Sequence, residues 1–179
     1  EKMFSNTTCP IGPGALFRRT VYEQVGPWNA AYRQMPDYEF WLRVGLIGRI
    51  LHITEDLALF RVHEGSQSYS VPNSERADEP VQIARAHVER AGDRFNEAVQ
   101  NSALASAQLM SAQLHLRAGR FAAALNAVKQ AYSYDKGQVF SVLTFRRLLN
   151  AIGNRILHKA IWSVRNIKRK LIPRNTPKS

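Results

Sequence analysis

Two acids, an arginine and a histidine in the first part of the chain have the types and spacing to do chemistry. Asp37, Glu39 and Arg43 fall within Pro36-Asp37-Tyr38-Glu39-Phe40-Trp41-Leu42-Arg43, and Phe60-Arg61-Val62-His63-Glu64-Gly65 follows with an imidazole at its end. An acid at the start of a helix and a histidine at the end of a strand are the side chains needed to take a proton from a hydroxyl beside a metal ion.

The elements that must position them follow from pattern. Residues 14–18 read as a buried strand running into a short helix over 20–25, which Gly26-Pro27 cannot continue. Asp37 opens a second helix that Gly48 ends. Its Phe40, Trp41 and Val44 form one apolar face, and Glu39 and Arg43 form an exposed i,i+4 pair with the acid N-terminal, the favourable order. Strands are expected over 49–54 and 57–63. In the second, Ala58, Phe60 and Val62 alternate with Leu59, Arg61 and His63. Read from the residues alone, Asp37 is a helix N-cap and His63 a surface or hydrogen-bonded histidine.

The run Cys9-Pro10-Ile11-Gly12-Pro13-Gly14-Ala15-Leu16-Phe17-Arg18-Arg19, then Val25-Gly26-Pro27-Trp28-Asn29, then Asp37-Tyr38-Glu39-Phe40-Trp41-Leu42-Arg43 and Arg61-Val62-His63 has an informative order. Over about residues 3–70 it resembles the C-terminal half of the catalytic domain of family-2 glycosyltransferases, which have the GT-A fold. The resemblance implies an inverting transfer of a sugar from a nucleotide-sugar donor to a glycan or lipid-linked acceptor hydroxyl, with Asp37 as the catalytic base. It implies a divalent cation, Mn2+ or Mg2+, with His63 contacting the metal or the diphosphate, and it gives Glu39, Arg43 and Trp41 secondary places at the acceptor site. Met35-Pro36 stands where many relatives have an acid before the aspartate, which leaves Asp37 as the one candidate base of the motif. The chain has no Asp-x-Asp and no glycine-rich phosphate loop, and it begins at Glu1. A fragment lacking the nucleotide-binding half, inactive alone, is therefore expected.

Composition adds bounds. The single cysteine, Cys9, excludes an internal disulfide, and no apolar run approaches the roughly 18 residues of a membrane span. The net charge of +11 is localised: from Lys136 onward there are basic residues and no acidic ones, whereas the two signs balance before it.

Residues 64–80 read as loop and linker, with a boundary near Asn73. Helical periodicity then runs over 81–99, 102–118, 121–134 and 138–171. Gly119-Arg120-Phe121-Ala122-Ala123-Ala124, with Val128, Ala131 and Tyr132, resembles the second half of a tetratricopeptide repeat, with Lys136 where such repeats usually have proline.

The expected fold is thus α/β over 1–73, the C-terminal half of a GT-A domain. An all-α region follows, made of a tetratricopeptide-like helical hairpin over 74–135 and a basic amphipathic helical tail over 136–179. In the tail, Phe145, Leu149, Ile152, Ile156, Ala160, Val164, Ile167 and Leu171 recur at steps of three or four among arginines and lysines. The pattern suits either a helix lying on an anionic membrane surface, through residues 145–171, or a packing helix with a solvated basic face. No nucleic-acid recognition motif accompanies the charge. The expected location is cytoplasmic, peripheral at the inner face of the plasma membrane. The principal rival reading is a non-catalytic helical interaction module with a membrane-associating tail.

Overall fold

The computed structural model describes residues 1–12, 14–55, 58–59 and 71–153. Every regular element among them is a helix: α1 (Lys2–Ser5), α2 (Arg19–Val25), α3 (Pro36–Ile47), α4 (Ser74–Ala91), α5 (Glu97–Ala118), α6 (Phe121–Tyr134) and α7 (Lys136–Val139). A 3₁₀ turn occupies Gly92–Arg94, and residues 142–153 are also helical. The α/β expectation, with a partial GT-A domain over 1–73, is overturned: the described chain is all-α.

The reason is visible at the two expected strands that fall wholly or mostly on described residues. Residues 14–18 and 49–54 form no ladder, because an extended segment needs a neighbour for its backbone N–H and C=O groups and for its apolar face. None is supplied among the described residues, and Leu16 and Leu51 stand 89% and 86% exposed. The strand expected over 57–63, including His63, lies largely outside the described residues.

The helical part is organised around α5. Its small residues leave room on several sides, and Ala103, Ala105, Ala107, Leu109, Ser111, Ala112 and Leu114 are all buried. Small side chains let neighbours close in on nearly every side, and α5 is flanked by α4 and α6 and touched by α1 and α7. On the α6 side, Ala131 meets Ala105 and Leu109, and Ala124 and Ala127 meet Ala112. Between the two helices Gly119 takes the left-handed conformation (φ +78°), and the Gly119 and Arg120 N–H groups close on the Leu116 and His115 carbonyls. The α5–α6 hairpin therefore has the close alanine packing expected from the sequence. Ala131→Leu is expected to cost about 1–3 kcal/mol in urea unfolding, since a fully enclosed site cannot take three more carbons without displacement.

Two boundaries differ from expectation. Helix α4 starts at Ser74, inside the expected linker, because Asn73 Oδ1 accepts the Arg76 N–H at 2.8 Å; Pro80, read as a loop residue, lies within it. The expected helix over 81–99 is interrupted at Gly92 (φ +55°) and restarts where Asn96 Oδ1 caps α5 through the Val99 N–H.

Residues on both sides of position 73 share one core. Phe4, Tyr38 and Leu42 pack with Val81, Ile83, Ala84, Ala103 and Ala107. A second cluster, Phe40, Trp41 and Val44, packs on Val21 and Val25 of α2. Among the described residues no helix is long and apolar enough to cross a membrane.

At the centre of this core His87 of α4 meets Phe4 edge-on at 4.7 Å between rings, with Phe95 at 6.0 Å. Its Nδ1 is buried without a partner. Burial pushes its pKa down to about 4, helped by the positive charges of Arg90 and the chain's amino group. The folded state thus prefers the neutral ring, and the linked stability is complete above pH 6.5 and lost as pH falls toward 4. Urea unfolding is expected to show about 2 kcal/mol less stability at pH 5 than at pH 7 from this group. His87→Leu should remove that part of the slope.

Candidate functional site

Helix α3 places the motif residues. It begins with Pro36 at a position where no N–H is needed, and Met35, with no side-chain cap, stands before it. Asp37 is therefore the second helical residue rather than the N-cap expected from sequence. Its Oδ1 accepts the N–H of Tyr38 at 2.8 Å, and the residue is exposed. The first turn of a helix favours a carboxylate there, through the free N–H groups and the helix dipole.

Between its ends only Asp37, Arg43, Gly45 and Leu46 of α3 are not fully buried, so the single apolar face read from sequence is too narrow. Tyr38 and Leu42 face α1, α4 and α5, while Phe40, Trp41 and Val44 face α2. Glu39 and Arg43 fall between these two faces. Glu39 is buried and Arg43 largely covered, with side chains 5% and 11% exposed, and the expected exposed pair is corrected accordingly. Arg43 Nε and Nη2 reach the two Glu39 oxygens at 2.8 and 2.9 Å, a bidentate pairing. The same guanidinium donates to the Val25 carbonyl and to that of Pro27 at 2.8 Å. It thereby fastens the end of α2 to α3. Arg90 of α4 adds a longer contact to Glu39 at 3.4 Å.

A residue that sequence placed in a linker holds the approach to α3. Glu79 of α4, itself buried, accepts the backbone N–H groups of Arg33 (2.8 Å), Gln34 (2.5 Å) and Met35 (3.1 Å). Three converging backbone donors fix the loop that leads to Asp37. The one signal that could have disclosed it was an acid directly before Pro80 in a segment too apolar afterwards to be linker.

Beside α3 lies an aromatic group. Trp28 stacks on Phe40 with ring centres 3.8 Å apart, and Phe17 meets Trp41 edge-on at 5.8 Å. Trp41 is buried, whereas Phe17, Tyr22 and Trp28 keep part of their surface open. Cys9 is half-buried with Sγ 3.5 Å from the Ile11 carbonyl, and burial raises its thiol pKa, which disfavours a nucleophilic thiolate.

Serine, aspartate and histidine also meet between α4 and α5, in an arrangement that is not a hydrolytic triad. Ser111 Oγ donates to Asp78 Oδ1 at 2.8 Å, not to the histidine, and is fully enclosed. His115 Nε2 lies 3.0 Å from the same oxygen, and Arg120 Nε donates to His115 Nδ1 at 2.8 Å. Nδ1 therefore holds the lone pair, and no ring nitrogen is left to serve a nucleophile. Arg120 continues to the Pro72 and Asn73 carbonyls, so the set cross-links the start of α4 to the α5–α6 turn.

The structure thus brings Glu39 and Arg43 together with Trp41 beneath the surface and leaves Asp37 outside. His63 lies outside the described residues. Among the described residues no three acidic, histidine or cysteine side chains come together to hold a metal ion. Compared with protein families, curated proteins and solved structures, the chain matches none.

Proposed function

We propose that the segment around α3 forms the acceptor side of an inverting sugar transferase, in which Asp37 takes the proton of a glycan or lipid-linked hydroxyl as its oxygen attacks a nucleotide-sugar. One observation carries the reading: α3 separates the acids of its motif, sealing Glu39 in an ion pair with Arg43 and presenting Asp37 to solvent. A general base needs an accessible carboxylate on a rigid mount. The Arg43 bonds to α2 and the Glu79 bonds to residues 33–35 supply that mount. The partly open rings of Phe17 and Trp28 offer an apolar wall of the kind a sugar face packs against.

The donor and the divalent cation belong to a nucleotide-binding lobe, which the described residues do not supply. Such an enzyme would act on the cytoplasmic side of the plasma membrane. The test is a transfer assay on a polypeptide that carries such a lobe together with residues 1–179, comparing the parent with Asp37→Asn. Loss of transfer with nucleotide-sugar affinity retained supports the reading, and undiminished transfer removes Asp37 from it.

A second reading, a non-catalytic interaction module, is favoured by one observation on α6. Phe121 and Leu125 are exposed on a different face of α6 from the buried alanines. A peptide partner whose binding is lost on Phe121→Ser would support it.

A further inference from the structure

The apolar series that begins at Phe145 starts on the wrong side of its helix for packing. Over residues 142–153 the inward stripe is Thr144, Leu148 and Ala151, with Leu148 against the Ala112–Ala124 cluster. Val142, Phe145, Leu149 and Ile152 occupy a separate, outward stripe, with Phe145 65% and Leu149 50% exposed. These spacings of three and four put all four on one face. A helix with one apolar stripe satisfied and another left in water marks a surface made for a further contact.

Charge decides the occupant. Arg146 lies exposed beside the outward stripe, and from Lys136 to the end of the sequence there are eleven lysines and arginines and no acid. A protein partner selected for apolar matching would not require that excess, and a phosphodiester backbone would not require the aromatic and aliphatic stripe. A bilayer with anionic headgroups meets both, taking the apolar side chains at the acyl boundary and the cations at the phosphates. We propose that the outward face of residues 142–153 is an anionic-membrane docking surface, independent of any catalytic role for Asp37.

Flotation of the full chain with vesicles of phosphatidylcholine alone and with about one third phosphatidylglycerol tests this. Binding is expected on the anionic vesicles at low salt, falling steeply as salt rises. Phe145→Glu with Leu149→Glu is expected to weaken it about tenfold or more, and Arg146→Glu about fivefold. Both side chains of the double variant are exposed, so helix content by circular dichroism should be unchanged; Leu149→Gln alone serves if it is not, with a smaller loss in the same direction. The proposal is overturned if the wild-type chain fails to float at low salt, or if the double variant floats as well as the parent. It is equally overturned if the stripe mediates only a concentration-dependent dimer that the double variant abolishes.

Discussion

In an enzyme that joins these residues to a nucleotide-binding lobe, Asp37→Asn is expected to lower kcat by about 10² to 10⁴-fold while leaving the affinity for the nucleotide-sugar unchanged. Asparagine preserves the volume and keeps an oxygen for the Tyr38 N–H, now 2.8 Å from Oδ1, so the first turn of α3 is retained. What disappears is the group that accepts a proton. The informative control is Glu39→Gln, two positions along the same helix. Its target is buried and bonded to Arg43 through both oxygens, so the expected result is a loss of stability of about 2 kcal/mol. A transfer rate that falls with Asp37→Asn and a melting temperature that falls with Glu39→Gln would separate the two acids by role. The reverse pattern would place the chemistry at Glu39 and overturn the assignment.

Glu79→Ala is expected to destabilise the fold by about 3–5 kcal/mol. It strips the acceptors from three backbone N–H groups at once, on residues 33, 34 and 35, and leaves a void where a carboxylate was enclosed. For a chain of this size the midpoint should drop by roughly 10 °C. Glu79→Gln should cost less, about 2 kcal/mol, because its amide oxygen satisfies one side of the site while its NH₂ confronts a donor on the other. If Glu79→Ala lowers stability by under about 1 kcal/mol, water replaces the carboxylate and the loop before α3 is held by other contacts.

How much of this was legible in the sequence depends on how local the cause is. The α5–α6 hairpin could be read because glycine, small residues and helical spacing act within one stretch, and Gly119, Ala124 and Ala131 stand where those signals put them. Helix α3 could be read as a helix, but not its surroundings. Which of its faces is covered depends on α2 on one side and α1, α4 and α5 on the other, and a 3.6-residue period carries no information about two separate partners. Glu39 and Arg43 were misjudged for that reason. The strands over 14–18 and 49–54 were misjudged for another: a short apolar segment shows that the chain could join a sheet, while the sheet depends on a neighbour that must come from elsewhere. Glu79 escaped because its partners are main-chain groups 44 to 46 positions earlier, and main-chain donors leave no mark in a sequence.

That last property bears on how such a protein can change over time. Because the Glu79 carboxylate grips amides rather than side chains, this anchorage itself sets no side-chain requirement at positions 33–35 beyond excluding proline, which lacks the hydrogen that is gripped. Lineages could therefore diversify the stretch leading to Asp37, adjusting what it greets, while the anchorage beneath it stays constant.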